Sequence, residues 1–242
     1  MPKVVSTEDW LAARKELLAK EKEFTKLRDE LSRSRRALPW REIAKPYAFE
    51  TESGPKTLPE LFDGRSQLIV YHFMLGPDWE EGCPSCSYLA DHFNPAVVHL
   101  AARDVAFWAV SRAPLAKLLK FRDRMGWSFP WASSHKSDFN LDFNVSFPDR
   151  SDASEPVEYN YARKPFPSEE APGASVFRLG DDGRIFHTYS TFARGLDILI
   201  GAYNWLDLTP KGRDEDELPF TMAWVRHHDR YEEKPDLVKI DG

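Results

Sequence analysis

The chain predicts an α/β domain built from parallel β-α-β units. Two near-continuous apolar runs, 67–75 and 105–110, have the make-up of strands buried on both faces, and each is followed by apolar residues at helical spacing. The third observation bears on chemistry. The chain has two cysteines, Cys83 and Cys86, and they stand three residues apart between the first of these strands and its helix.

Taken in order, residues 7–37 are expected to form one long helix, because Trp10, Leu17, Phe24 and Leu31 recur every seven residues with Ala13 and Leu27 in the same stripe. Ser6 with Asp9 has capping-box spacing at its start, and Pro39 ends it. The stripe is expected to dock on the chain's own domain; pairing of two copies into a homodimer is the alternative. A proline-rich link (Pro39, Pro46, Pro55, Pro59) leads to a short turn of helix closed by Gly64. After the strand and the cysteines, Leu89, Ala90, Phe93, Val97 and Leu100 keep helical spacing, with a kink expected at Pro95. Leu115, Leu118, Leu119 and Met125 mark a second helix ended by Gly126. Residues 149–172 carry four prolines among acids and tyrosines and are expected to run over the surface. Residues 174–179 and 184–189, joined by Gly180-Asp181-Asp182-Gly183, form a β-hairpin pattern, and Leu196, Leu199, Ile200 and Tyr203 give the face of a last helix. In the charged tail, Phe220, Met222, Trp224 and Tyr231 point to packing against the body. The expected organisation is an N-terminal helical extension (1–45), an α/β domain (46–207) and a tail packed on it (208–242).

The totals narrow the class. At 242 residues, one sizeable domain is favoured over two. A net charge of −6 argues against nucleic acid or an acidic membrane as partner. No apolar stretch approaches the ~18 residues that a membrane span needs, and the start runs straight into charged residues without the apolar core of a secretory signal. A cytoplasmic setting is therefore expected, where a permanent structural disulfide is not.

Two thiols kept together and none elsewhere suit thiol–disulfide chemistry. The attacking species is the thiolate: a thiol of pKa ~8.5 is about 3% ionised at pH 7, and one lowered to ~7 is about half ionised. Cys83 at the beginning of a helix gains unpaired backbone N–H groups and a favourable dipole, opposed by Glu80 and Glu81. Cys83 is expected to attack and the deeper Cys86 to resolve. Pro84 falls in the first helical turn, where its missing N–H costs nothing. Electrons reside on the sulfurs, so no cofactor is needed; the partners are a protein or small-molecule disulfide and a thiol reductant. Structural zinc is disfavoured, because one such pair supplies two ligands and the adjacent His227 and His228 tend to point apart. A reading from another class is a non-enzymatic binding module with an aromatic-lined small-ligand pocket. His72 is expected to be a hydrogen-bonded core residue, Trp79 and Trp131 to flank the site, and Tyr159 and Tyr161 to act as a lid or as loop anchors.

The order strand, cysteine pair, helix, strand, helix, hairpin, helix is that of thioredoxin. Residues 67–74 (Gln67-Leu68-Ile69-Val70-Tyr71-His72-Phe73-Met74), Trp79 ahead of Cys83-Pro84-Ser85-Cys86, and 224–231 (Trp224-Val225-Arg226-His227-His228-Asp229-Arg230-Tyr231) together resemble the bacterial domain-of-unknown-function 899 family, described as thioredoxin-like, predicted dithiol-disulfide oxidoreductases. The resemblance implies a thioredoxin-like fold, a central mixed sheet flanked by helices, and exchange at Cys83 and Cys86. It also departs from better-known relatives. Thioredoxins carry tryptophan directly before the first cysteine, whereas Glu80-Glu81-Gly82 intervene here after Trp79. Peroxiredoxins place threonine three residues before the reactive cysteine, where this chain has Glu80, which disfavours a peroxidase. Thioredoxin-like proteins set a cis-proline opposite the cysteines, just before a core strand. Pro172 fits that place best and Pro130 second, an ordinary trans proline being the alternative. Trp79, Pro84, Trp131 and Pro172 are thus the candidate substrate-binding residues.

Overall fold

The structure is a computed structural model that describes residues 3–148, 150 and 152–231, and the chain divides into two compact units, 1–40 and 41–242. The first unit is helix α1 (Thr7–Arg36). The Ser6 hydroxyl accepts the Asp9 N–H at 3.1 Å, and Glu8 and Asp9 in the first turn, with Arg33, Arg35 and Arg36 in the last, suit the dipole of the helix. None of its residues is buried, and Trp10 and Phe24 are 58% and 66% exposed.

The second unit opens with β1 (Arg41–Glu42) and the hairpin of β2 (Ala48–Thr51) and β3 (Gly54–Thr57), then a 3-10 turn at Pro59–Phe62. Strand β4 (Gln67–His72) leads to α2 (Pro84–Ala90) and α3 (Asn94–Ala101), then β5 (Val105–Ser111), α4 (Leu115–Arg124), β6 (Trp131–Ser133) and α5 (Phe139–Asp142). Strands β7 (Val157–Tyr159) and β8 (Ala162–Lys164) form a separate two-stranded sheet. The hairpin of β9 (Gly173–Leu179) and β10 (Ile185–Phe192), a 3-10 stretch at Ala193–Leu199 and α6 (Gly201–Leu206) complete the body.

Eight strands form one mixed sheet in the order β1-β10-β9-β4-β5-β6-β2-β3. Strands β4, β5 and β6 are parallel, while β9 runs antiparallel to β4 and β10 to β9. A parallel β-α-β unit beside an antiparallel hairpin, with the cysteines where the first strand gives way to its helix, is the thioredoxin-like architecture.

Side-chain alternation along β4 splits the core in two. Tyr71 joins Phe73, Cys86, Leu89, Phe93, Phe121 and Trp131 on one face of the sheet, whereas Leu68 and Val70 join Val110, Phe139, Phe143 and Phe177 on the other. His72 belongs with the second set. It is 1% exposed, stacks on Phe139 and Phe143, and shares a 2.8 Å hydrogen bond between Nε2 and Ser175 Oγ, so it is a core residue facing away from the cysteines. Burial lowers its pKa to about 3, which keeps it neutral.

Several elements differ from expectation. Pro95 does not kink a continuous helix; it stands in the first turn of α3, where a proline is tolerated, and α2 ends at Ala90. Strands β1, β2, β3 and β6 were not expected; of these β1, β2 and β6 gain partners far away in the chain. Residues 180–183 do form a turn, closed by Gly180 N–H to Arg184 O at 2.8 Å with Gly183 at φ 79°. In the tail, Met222 and Trp224 pack on the core and Val225 and His227 are buried, but Phe220 is 66% exposed. The tail expectation for 232–242, and residues 149 and 151 of the surface excursion, lie outside the described residues.

Candidate dithiol site

Cys83 caps α2 and Pro84 opens its first turn. The approach is fixed on both sides. Cys83 N–H donates to Met74 O at 3.0 Å, which ties the cysteine to the end of the β4 segment. Gly82, one residue earlier, runs so close to the aromatic core that an added Cβ would stand 2.5 Å from Phe73 and 2.6 Å from Phe121. Its carbonyl accepts His227 Nε2–H at 2.8 Å. Beyond Cys83, the Ser87 N–H and hydroxyl both donate to the Cys83 carbonyl at 2.9 Å, so the first turn is closed twice.

Both cysteines are free thiols; Cys83 is half-buried and Cys86 is 2% exposed. Their acidities diverge. A hydrogen bond from the Cys86 thiol lowers the Cys83 pKa to about 7, with the backbone N–H groups of Cys86 and Ser85 helping against the opposing effect of burial. Burial drives the Cys86 thiol well up, reinforced by the negative charge forming on Cys83. The expected penalty from Glu81 is largely cancelled. Its carboxylate is half-buried but bound by Arg124 at 2.8 Å and by Arg230 through two contacts of 2.7 Å, which hold it below the usual range.

Beneath the pair lies Tyr71. Its ring is 1% exposed, and its hydroxyl finds no nitrogen or oxygen partner, interacting instead with the Cys86 thiol. Burial first, then the two cysteines, push its pKa well up, so it stays a hydrogen-bond donor. A cavity of about 200 Å³ opens beside Cys83, Cys86 and Tyr71. Met74, Leu89, Leu196, Ile200 and Met222 give it apolar walls, and Pro172 borders it just ahead of β9.

Among the sequence candidates, Cys83, Cys86 and Pro172 therefore meet at one cavity. Pro172 is not a cis-proline: no cis peptide bond occurs among the described residues, and its carbonyl is instead taken by Tyr159 Oη at 2.8 Å. Trp79 packs on the same core without lining the cavity, because its indole N–H donates to Glu169 Oε1 at 2.7 Å. Trp131 does not flank the site either. It is 1% exposed, stacked on Trp127 at 5.9 Å and set against Phe73 at 4.9 Å, where bulk inside the core decides its place. Tyr159 and Tyr161 anchor loops through their hydroxyls, Tyr161 to Ser190 O at 2.9 Å. His228 Nδ1 meets Asp91 at 2.7 Å, on a different partner from His227. No site role was legible for Tyr71, nor for Leu196, Ile200 and Met222, which the sequence places only on a helix face and in the packing of the tail. A tyrosine inside an otherwise apolar strand was the available sign, since a buried phenol needs a partner.

A dithiol at the start of the helix that follows the first central strand defines a thioredoxin-fold protein with its two cysteines set side by side. The chain belongs to the family described as "Bacterial protein of unknown function (DUF899)", which it matches over residues 1–231. Similar solved structures include the peroxidoxin BcpB of Mycobacterium tuberculosis, 14% identical, covering 67% of this chain and 94% of that one at a TM-score of 0.45. They also include a PrxQ mutant of Xylella fastidiosa (13% identity, 66% and 88% covered, TM-score 0.41). A third is a thiol:disulfide interchange protein DsbE of Chlorobium tepidum, reported as putative (13%, 68% and 99%, 0.40). No curated protein matches the chain by sequence.

Proposed function

We propose that this protein exchanges dithiol for disulfide, with Cys83 attacking and Cys86 resolving. One observation carries the reading: a half-buried thiol lowered to about 7 faces a cavity, while its buried neighbour is held protonated. At pH 7 about half of Cys83 is thiolate. That thiolate forms a bond to one sulfur of a disulfide R–S–S–R and expels R–S⁻. Cys86 then gives up its proton and attacks the Cys83 sulfur, expelling the second R–S⁻. One of the two departing thiolates takes that proton. The products are the Cys83–Cys86 disulfide, one thiol and one thiolate, and two electrons have passed from the dithiol to the substrate. A thiol reductant restores the pair.

A second reading, a binding module that holds a small ligand without turnover, draws on the same cavity. Reduction of a model disulfide separates the two. Exchange requires turnover by the wild type and its loss in Cys83→Ser; no turnover by the wild type favours the binding module, and turnover untouched by that substitution excludes Cys83 as the nucleophile. Cys86→Ser should accumulate a mixed disulfide on Cys83, which identifies the substrate. A reducing compartment suits the reading, and no helix of the described residues is long and apolar enough to cross a membrane.

A further inference from the structure

We infer that the cavity beside Cys83 takes a small, uncharged, largely apolar disulfide as the oxidant of the pair, in preference to a charged peptide disulfide or a loop of a folded protein. This rests on the exchange reading above and adds the substrate class.

The cavity is small. At about 30 Å³ per liquid water, about 200 Å³ holds roughly seven waters. That suits a compact dialkyl disulfide and lies below the range of ordinary drug-sized pockets. Leu89, Leu196, Ile200 and Met222 give an ingoing molecule no hydrogen bonds, so polar groups set against these walls would lose water without replacement, the hydroxyls of Ser85 and Thr221 being the neutral polar side chains at the rim.

The two arginines at the cavity already have acid partners. Arg213 holds both Asp207 oxygens at 2.8 Å and Asp197 at 2.9 Å, and its guanidinium lies 3.9 Å from the Tyr203 ring centroid. Arg194 binds Asp197 at 3.1 Å. A substrate carboxylate would find Arg213 already holding two aspartates, and the charge of the exposed Arg194 already partly met by Asp197.

The walls are also prebuilt. Glu215 Oε1 accepts from Tyr203 Oη at 2.7 Å, Met222 N–H at 3.0 Å and Trp224 Nε1 at 2.6 Å, which fixes the segment that carries Met222. A protein loop would need that segment to move. Inside, the buried Tyr71 hydroxyl also lines the cavity and has no nitrogen or oxygen partner among the described residues. It is a donor placed beside the sulfurs, where a departing thiolate needs one.

The test uses pre-reduced protein in a single turnover, followed by tryptophan fluorescence and by mass spectrometry of the alkylated thiols. Diethyl disulfide, oxidised glutathione and insulin are compared, each rate divided by the rate of the same disulfide with dithiothreitol. The expected result is a normalised rate for diethyl disulfide at least tenfold above the other two. Thr221, exposed at the cavity edge, tests the route. Thr221→Trp should slow diethyl disulfide at least fivefold with an unchanged urea midpoint. Equal or faster reaction with glutathione disulfide or insulin, or an unaffected Thr221→Trp rate, overturns the substrate class and leaves exchange standing. Faster oxidation by cumene hydroperoxide than by any disulfide also overturns it. Reaction with no disulfide, or reaction that survives Cys83→Ser, sinks the exchange reading itself.

Discussion

His227 Nε2–H donates to the Gly82 carbonyl at 2.8 Å, joining the tail to the residue that immediately precedes Cys83. The other ring nitrogen accepts from Arg124 at 3.2 Å, and Arg124 in turn binds Glu81 and Asp229. The loop that delivers Cys83 is thus held by the chain's far segment as well as by its own strand.

His227→Ala should therefore destabilise the protein by about 1–3 kcal/mol, because it strands a buried carbonyl acceptor. Urea unfolding measures the loss. His227→Gln, whose amide can still donate, should recover part of it, and no recovery would mean that ring packing on Phe121 matters more than the hydrogen bond.

The rate of iodoacetamide alkylation should rise with pH through a midpoint of about 7, from the lowered pKa of Cys83. Cys83→Ser should remove that fast phase, since Cys86 is buried and its pKa is raised. The linkage has two opposite signs. Cys83, depressed in the fold, contributes stability that is present above the unfolded value of ~8.5 and lost as pH falls through about 7. Cys86, raised in the fold, contributes stability that is present below ~8.5 and lost as pH climbs above it. The contribution of the reduced pair should therefore grow from about pH 7 towards ~8.5 and decline beyond. Denaturation of reduced protein across that range, with Cys83→Ser and Cys86→Ser as references, separates the two signs.

Gly82→Ala should cost about 1–3 kcal/mol, the range for overpacking a filled core, because its Cβ would meet the rings of Phe73 and Phe121. Thermal unfolding gives the stability change, and slower alkylation of Cys83 would accompany a shift of the loop. Wild-type stability with wild-type alkylation would show that the rings yield freely.

Glu170 supplies a second pH dependence, away from the sulfurs. Its carboxyl is 1% exposed, and burial pushes it up to about 7 despite Ser146 and Arg112, the latter at 3.1 Å. A raised carboxyl contributes stability that is complete below the unfolded value of ~4.3 and lost as pH rises through about 7. Glu170→Gln should flatten the stability profile between those limits. An unchanged slope would assign that dependence to another group.

What could be read from the sequence was local. Strands β4 and β5 announce themselves because burial on both faces demands an unbroken apolar run, and the turn at 180–183 needs only its own glycines and aspartates. The cysteine pair was equally plain, being two residues of a type used nowhere else. Strand β6 was not, since Trp131-Ala132-Ser133 is too short to carry a period and is a strand only because β5 and β2 flank it. Trp131 itself sits four residues after Trp127 in an aromatic patch, a pattern that serves a core and a binding surface alike. The cavity was least legible. Its walls come from Tyr71, from the stretch after β10 and from Met222, which no sequence spacing relates.

The late position of those walls bears on how the protein is made. Translation delivers Cys83 and Cys86 before Leu196, Ile200 and Met222, so the cavity beside the two sulfurs is complete only after those later residues have been made and folded back.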